Sequence, residues 1–520
     1  MSRRKIYTMA VMGCALAILI LASGGCSLSP VTDRYPSHAL SASEANKTSL
    51  GQAVSKSKHD KEGTSGVYMM GDPQLAFASR MLLFERAEKT IDLQYYIWDA
   101  DVTGTLMFEA LLSAANRNVR VRLLLDDNGI NELDDALYTL SNHPNIDVRI
   151  FNPFVQRQHK WLGYITHFTR VNRRMHNKSF TVDNVVTVIG GRNIADDYFG
   201  ATQHVLKEDI DVLAVGDIVG HVSSDFDRYW ASQSAYPITQ LVNNEHKAVY
   251  STAMLFPEQS NNPRRQEYIT LIKQSSIIDT LAKGTLAFSW SEVKLISDSP
   301  QKTLNTNNDE DLLVAKLHEA LGVPTKSVLI VSPYFVPTPK AVSHFTALAK
   351  QGIAVNILTN SMMATDVLPV HAGYAKHRKT LLNAGVSLFE LKPTRADSNK
   401  LKDKLGPFGS SASSLHAKMF VIDDKRLFIG SFNFDPRSIN INTELGFIIY
   451  HEELTTQVNT QFAENIDSAA YALSLDESGD IVWHETVNGN LITHTREPGS
   501  GVLNNFALSI LSILPINSLL

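Results

Sequence analysis

The sequence predicts an α/β protein made of two similar halves in one chain. Strand-like and helix-like segments alternate from Asp72 onward, the pattern that layers mostly parallel strands against helices. The whole order of segments is then run through a second time. Composition supports the class: 44% hydrophobic and 19% charged residues, with 28 Gly and 19 Pro in 520, exclude collagen-like, coiled-coil and wholly disordered chains.

In the first pass Asp72 serves as an N-cap with Pro73 in the first turn, which predicts a helix over 73–88. A β-rich stretch follows over 91–98, a helix over 104–117 and a strand over 119–126. The uninterrupted run Arg122-Leu123-Leu124-Leu125 suits a strand covered on both faces. A helix over 132–140 and a strand over 146–151 close this pass. The second pass reads helix 311–321, strand 327–336, helix 340–351, strand 353–359, helix 370–383 and strand 386–391. These segments give an N-terminal half at 67–245, a connecting segment at 246–310 and a C-terminal half at 311–475. Residues 476–520 form a tail whose apolar end, 506–515, is too short to span a bilayer and is either a buried closing helix or a segment lying on a membrane surface.

The N-terminus reads as an address. Arg3, Arg4 and Lys5 precede an apolar run over 6–22 that breaks into Ser23-Gly24-Gly25-Cys26, the order of an export signal. The Gly-Gly-Cys ending resembles a bacterial lipobox, which implies that residues 1–26 are an export signal and Cys26 the lipidated first residue of the mature chain. An uncleaved anchor helix and a fully released signal are the alternatives, and inner versus outer membrane stays open. Residues 27–66, rich in Ser, Ala and Lys, read as a flexible tether. The only cysteines are Cys14 and Cys26, so the body of the protein has no disulfide framework or cysteine zinc site. Lys plus Arg number 48 against 53 Asp plus Glu, a net charge of −5 that disfavours binding duplex nucleic acid by charge.

Each half ends in the same signature. His176-Asn177-Lys178 leads through Asp183 to Gly190-Gly191-Arg192-Asn193, and His416-Ala417-Lys418 leads through Asp423 to Gly430-Ser431-Phe432-Asn433. Both are HxKxxxxD followed, after six residues, by G-[GS]-x-N. One such HxKxxxxD arises by chance in a chain this long on the order of 1 time in 30, and two with identical tails are not chance. On a strand, i and i+2 share a face, so His176 points with Lys178 and His416 with Lys418. Asp183 and Asp423 fall on the other parity, at turns, which argues against direct attack or proton transfer by them. A hairpin centred on Asp183 returns Gly190 beside His176 and places Asn193 over the same spot; Gly430 and Asn433 stand likewise to His416.

The product is two copies of imidazole, ammonium and carboxamide, a set suited to a phosphodiester: Lys178, Lys418, Asn193 and Asn433 for the non-bridging oxygens, and two imidazoles on opposite sides of phosphorus. Each imidazole needs an orienting carboxylate on its other nitrogen. Asp209 and Glu444, opening comparable strands after each signature, are the candidates, with Asp211 as the alternative in the first half. Lysine is a poor metal ligand, and neither cysteine nor clustered carboxylates accompany the histidines, so no metal or cofactor is expected. Residues 155–178 hold Arg157, Lys160, Arg170, Arg173, Arg174 and Lys178 without an acid, interleaved with Trp161, Tyr164 and Phe168. They read as a rim for anionic headgroups or as a solvated basic face. Lys376-His377-Arg378-Lys379 is a weaker candidate of the same kind.

The duplicated signature resembles the phospholipase D superfamily. Asn433-Phe434-Asp435-Pro436-Arg437-Ser438, Gly163-Tyr164-Ile165-Thr166, the segment Asn172-Arg173-Arg174-Met175 and His371-Ala372-Gly373-Tyr374-Ala375 resemble its bacterial cardiolipin synthases of the C-type branch. The resemblance implies two α-β-α sandwich halves facing each other in one pseudo-symmetric unit, with a composite metal-free site whose signature residues His176, Lys178, Asp183, His416, Lys418 and Asp423 form the catalytic set. It further implies that His176 attacks phosphorus to give a phosphatidyl-histidine while His416 serves as acid and base. Function expected on this basis is a membrane-tethered phosphatidyltransferase acting on phospholipids at a bacterial membrane, with phosphatidylglycerol as acceptor and phosphatidylethanolamine as a donor. The alternatives are a phospholipase D that uses water and, less favoured, a nuclease of the same fold; no nucleic-acid partner is expected, and nothing is specified about a helper protein.

Overall fold

The structure, a computed structural model, describes residues 28–31, 37–57, 63–201, 205–242, 255–393 and 413–499. The export-like leader with Cys26 and the apolar ending 506–515 lie outside the described residues. Strands of the first half are β1 (Ser65–Met70), β2 (Thr90–Ile97), β3 (Arg120–Gly129), β4 (Ile146–Phe151), β5 (Ser179–Val182), β6 (Val186–Gly190), β7 (Leu206–Glu208), β8 (Asp211–Gly216) and β9 (Ala235–Pro237). Those that follow are β10 (Ser289–Ser297), β11 (Ser327–Val331), β12 (Ala354–Asn360), β13 (Ser387–Leu391), β14 (Ser413–Leu415), β15 (Met419–Ile422), β16 (Arg426–Gly430), β17 (Leu445–Tyr450), β18 (Ala470–Leu475), β19 (Ile481–Val487) and β20 (Asn490–His494).

The two halves have the same sheet. The first runs β1-β8-β6-β5-β2-β3-β4-β9, with β2, β3 and β4 parallel and the other neighbours antiparallel. The second runs β10-β17-β16-β15-β11-β12-β13-β18, with β11, β12 and β13 parallel. Strand for strand the orders superimpose. Strand β10 also pairs with β1 through Ser65↔Ser291 to Val67↔Ser289, joining the sheets edge to edge.

The inner faces of the two sheets share one core. It holds Ile189, Val212 and Ala214 from the first and Met419, Leu427 and Phe447 from the second, with the helices Asp217–Trp230 and Glu452–Ala469 alongside. Outer faces are covered separately, by Pro73–Arg86 and Val102–Asn116 on one side and Leu313–Leu321 and Pro339–Lys350 on the other. The α/β class with two layered halves is therefore the observed one.

Both signature hairpins, β5–β6 and β15–β16, turn through two left-handed residues. Asp183 and Asn184 have φ of 53°, and Asp423 and Asp424 have φ of 55° and 52°, conformations that Asn and Asp tolerate better than most residues. One further residue in each turn moves the register so that Val182 faces Val186 and Ile422 faces Arg426. The expected hairpin centre is thus displaced by one residue. Gly430 donates to the Lys418 carbonyl at 3.3 Å, so the glycine returns beside the lysine and not beside the histidine.

The motif aspartates are structural anchors. Asp183 accepts the amides of Glu88, Lys89 and Thr90 at 2.7–2.9 Å. Asp423 accepts those of Thr325, Lys326 and Ser327 at 2.7–3.0 Å. Each carboxylate ties its hairpin to the entry of the first parallel strand, β2 or β11. Five residues beyond the lysine on an extended strand is about 17 Å, too far to act on a group held by the histidine. Their place in the catalytic set implied by resemblance is corrected to a role in folding.

Three boundaries also differ from expectation. Residues 37–57, read as tether, pack on the first half: Leu50, Ala53 and Val54 of the helix Ser49–Ser57 are buried, and Ser37 and Leu40 offer carbonyls to Arg122 and Asn184. The stripe at i, i+3, i+4 is amphipathic but lasts only two turns, too short to stand out in a Ser- and Lys-rich stretch. The connecting segment supplies Pro263–Gln274, whose Tyr268 enters the first core, and then β10. The C-terminal tail adds β19 and β20 to the second sheet, with Trp483 buried and donating to Glu390 at 3.1 Å. Replacing Asp423 by Ala leaves its three amide donors without their carboxylate. The unfolding free energy should fall by about 1–3 kcal/mol, read as a lower urea midpoint at unchanged slope, while turnover per folded molecule stays within about threefold.

Candidate active site

The two histidines are seated by backbone pairing between halves. His176 N–H donates to the Thr443 carbonyl at 2.9 Å, while Thr443 N–H donates to the Arg174 carbonyl at 2.9 Å. At the other end, β7 and β14 pair in parallel, and His416 N–H donates to the Glu208 carbonyl at 2.7 Å. Thr443 and Glu208 are the residues just before Glu444 and Asp209. Each seat therefore presents a carboxylate from one half to a histidine of the other.

The side chains complete the exchange. His176 Nδ1 lies 2.9 Å from Glu444 Oε2, and His416 Nδ1 lies 2.5 Å from Asp209 Oδ2. A carboxylate acceptor requires Nδ1–H in each ring, which leaves the lone pair of the neutral imidazole on Nε2. Both rings are about nine-tenths buried and both carboxylates fully so. Asp209 and Glu444 are thus the partners singled out in the sequence, but crossed between halves, which order along the chain does not reveal. Asp211 is committed elsewhere, to Arg80 at 2.9 Å and Arg192 at 3.3 Å.

The variable position of G-[GS]-x-N matches the length of the carboxylate beside it. A Cβ on Gly191 would lie 2.3 Å from Asp209 Oδ1, so only glycine admits the shorter acid. In the other copy Ser431 Oγ donates to Glu444 Oε2 at 2.5 Å and Ser438 Oγ to Oε1 at 3.0 Å. This difference between the copies is the one sequence signal that tells the two carboxylates apart.

Lys178 is buried and donates to the His176 carbonyl at 2.6 Å; Lys418 donates to the His416 carbonyl in the same way. Lys178 keeps two further N–H groups for an anion, while Lys418 Nζ also lies 3.0 Å from His416 Nδ1. Asn193 receives the Ile97 amide at 3.2 Å and donates to Tyr198 Oη at 2.8 Å, retaining one N–H. Asn433 Oδ1 is buried with no hydrogen-bond partner among the described residues. The carboxamides are accordingly not equivalent: the Asn193 oxygen is paired and the Asn433 oxygen is not.

Burial governs the charge states. It drives the His176 imidazole down to about 4, with Glu444 opposing and Lys178 reinforcing the fall. Burial and the nearby Lys418 and Lys207 ammoniums put His416 well below the usual histidine range as well. Lys178 is lowered to about 7 and Lys418 to about 8, again by burial first. Before an anion arrives both imidazoles are held toward the neutral form. A phosphodiester brings the negative charge that favours the protonated form.

Sequence reasoning missed the aromatic walls. Tyr96 packs edge-on against His176 and Tyr198 against His416, each with ring centroids 5.0 Å apart. The expected basic rim is not a rim. Arg157 pairs with Asp127 and Asp134, Lys160 with Asp127, Arg174 with Asp126, and Arg170 and Arg173 donate to backbone carbonyls. Within 376–379, Arg378 is buried against Glu390 and Lys379 pairs with Asp480. A stretch without acids in sequence met its acids in space. Left outside are Trp161, 61% exposed, Ile165, 72% exposed, and Phe168, 43% exposed. Tyr164 of the same segment donates to Asn128 at 2.7 Å, and Asn128 donates to Tyr96 Oη at 3.0 Å.

The family described as "Cardiolipin synthase, PLD-like domain" matches residues 82–230 and 315–466, once in each half. Cardiolipin synthase C of Escherichia coli (strain K12) is 45% identical over 458 residues, 88% of this chain and 97% of that protein. An uncharacterized protein of Helicobacter pylori (strain ATCC 700392 / 26695) is 30% identical over 476 residues, 90% of this chain and 92% of its own. Among solved structures, the phosphatidylserine synthase of Haemophilus influenzae Rd KW20 superposes with a TM-score of 0.55 at 15% identity, covering 88% of this chain and 95% of that one, a likeness of fold. With both signatures seated in one composite site and the family matched in each half, the chain belongs to the cardiolipin synthases with phospholipase D-like domains and is an enzyme of the phospholipase D superfamily.

Proposed function

We propose that this protein is a membrane-tethered phosphatidyltransferase that moves a phosphatidyl group onto the free glycerol hydroxyl of phosphatidylglycerol, with phosphatidylethanolamine as donor. The observation that carries the reading is the crossed pair of imidazole–carboxylate units, His176–Glu444 and His416–Asp209, joined to 45% identity over 97% of a cardiolipin synthase. His176 Nε2 attacks phosphorus, forming a P–N bond as the P–O bond to the leaving alcohol breaks. His416, protonated once the phosphodiester is bound, gives its proton to that oxygen. It then takes the proton from the incoming hydroxyl, whose oxygen displaces His176. Lys178, Lys418, Asn193 and Asn433 hold the non-bridging oxygens while charge builds on them. Glu444 and Asp209 keep each ring in the tautomer with Nε2 facing phosphorus, and the second, at 2.5 Å, supports an imidazolium on His416.

A hydrolase would share every step but the last acceptor. Burial of both rings to about nine-tenths favours transfer, since water has little access to the intermediate. The membrane is engaged by the exposed Trp161, Ile165 and Phe168, an apolar wedge connected through Tyr164 and Asn128 to the wall of the site. The leader ending in Cys26 supplies the tether in this reading. No described helix is long and apolar enough to cross a membrane.

Incubation with phosphatidylglycerol, with and without phosphatidylethanolamine, should yield cardiolipin; phosphatidic acid alone would make the protein a hydrolase. His176→Ala and His416→Ala should each lose turnover. A substrate with nitrophenol as leaving group needs no acid, so His416→Ala should release one equivalent and retain the phosphatidyl adduct on His176, detectable by mass spectrometry; an adduct on His416 would reverse the roles. The free-enzyme kcat/KM should decline above about pH 7–8, where Lys178 and Lys418 lose the protons that make them cationic. Arginine stays charged there, so Lys178→Arg should carry that limb to higher pH, and an unmoved limb would assign it to another group. Replacing Trp161 and Ile165 together by Ser should lower kcat/KM on vesicles by at least about tenfold and leave turnover of short-chain micellar substrate unchanged.

A further inference from the structure

The two flanks of the site differ in charge. Around Tyr96, on the His176 side, stand the neutral Asn128 and Tyr164, the ion pair of Asp126 with Arg174, and Arg437, which donates twice to Asn172 at 2.7 Å, so cations outnumber carboxylates there. Around Tyr198, on the His416 side, Lys207 Nζ sits 5.4 Å from the Tyr198 ring and 3.4 Å from Asp366 Oδ2. Asp366 Oδ1 accepts from Tyr334 Oη at 2.7 Å. Lys207 and Tyr198 belong to the first half, Tyr334 and Asp366 to the second, so both halves build this flank.

Asp366 differs from the other carboxylates of the site. Its side chain is 44% exposed, whereas those of Asp209 and Glu444 are fully buried. It is held by a donor on each oxygen, yet a carboxylate has roughly four lone-pair positions, leaving about two open to a ligand. The field of Asp366 reaches His416 and Lys418, which places it at the site and not merely on the surface. Asp197 adds its field at Lys207 to that of Asp366, so the lysine faces two carboxylates on this flank.

We propose that the flank built by Asp366, Tyr334, Lys207 and Tyr198 is the alcohol-headgroup subsite, and that Asp366 makes it select a headgroup bearing a primary ammonium. The inference rests on His416 as the acid and base: in an in-line displacement the alcohol oxygen lies opposite His176, beside His416, and its substituent extends onto this flank. An ammonium there donates to the Asp366 carboxylate and pairs with its charge, whereas a glycerol hydroxyl donates a hydrogen bond without an opposing charge. Asp366 is a specificity-determining residue and takes no part in bond making. The subsite discriminates the donor that loses its alcohol, while phosphatidylglycerol enters as acceptor through its uncharged glycerol headgroup.

The test uses the full chain on mixed vesicles holding equal amounts of phosphatidylethanolamine and phosphatidylglycerol, each labelled in its phosphatidyl group in separate runs. Asp366→Asn should reduce use of phosphatidylethanolamine as donor by about tenfold and alter use of phosphatidylglycerol as donor by less than about twofold, and Asp366→Glu should restore the preference. Parallel loss on both donors would overturn the proposal and leave the Lys207–Asp366 pair a brace between halves. Calorimetric binding of glycerophosphoethanolamine against glycerophosphoglycerol reads the subsite without turnover. A preference present in the native chain and lost in Asp366→Asn upholds the subsite even if no cardiolipin forms, in which case the transferase reading falls alone. Equal binding of the two headgroups by the native chain would overturn the subsite whatever the product.

Discussion

Each reacting imidazole takes its carboxylate from the opposite half, and the rest of the molecule is arranged around that exchange. The two bonds, His176 to Glu444 and His416 to Asp209, form only if the sheets face each other at a fixed separation. The shared core between the inner faces sets that separation, and the parallel seats at Thr443 and Glu208 set the alignment along it. A buried carboxylate that lost its imidazole would face the full cost of an uncompensated charge. Docking of the halves and assembly of the reaction centre are therefore one event.

The motif residues divide by what they touch. Histidine and lysine point into the cleft, while the aspartate of the same strand points away and collects three backbone amides. One hairpin thus presents chemistry at its open end and mechanical attachment at its turn. That division makes the motif a unit in which eight residues fix both the reacting group and the strand that holds it.

Much of this was legible in the chain. The duplicated order of strands and helices gave the two sheets, since each pass carries its own periodicity and turn signals. The HxK parity put imidazole and ammonium on one face and argued against attack or proton transfer by the off-parity aspartates, although the resemblance kept them in the catalytic set. What could not be read was anything decided between distant segments. Arg157, Arg170, Arg173 and Arg174 form a run without acids, and only the fold brings Asp127 and Asp134 to Arg157, Asp126 to Arg174, and backbone carbonyls to the other two. The aromatic walls Tyr96 and Tyr198 carry no motif of their own. The hairpin centre slipped by one residue because a turn of two left-handed positions took in an extra neighbour, a choice that spacing alone does not dictate. The stripe on Ser49–Ser57 was hidden by its shortness.

The pairing of Gly191 with Asp209 and of Ser431 with Glu444 has a bearing on how such a chain can change over generations. The small residue and the acid it accommodates lie in one half, but the ring they serve lies in the other. Exchanging a single signature between the copies would put a longer acid where there is no hydroxyl to hold it, or a side chain where there is no room. At these four positions each small residue and its acid constrain one another within a half, so either pair can change only as a pair.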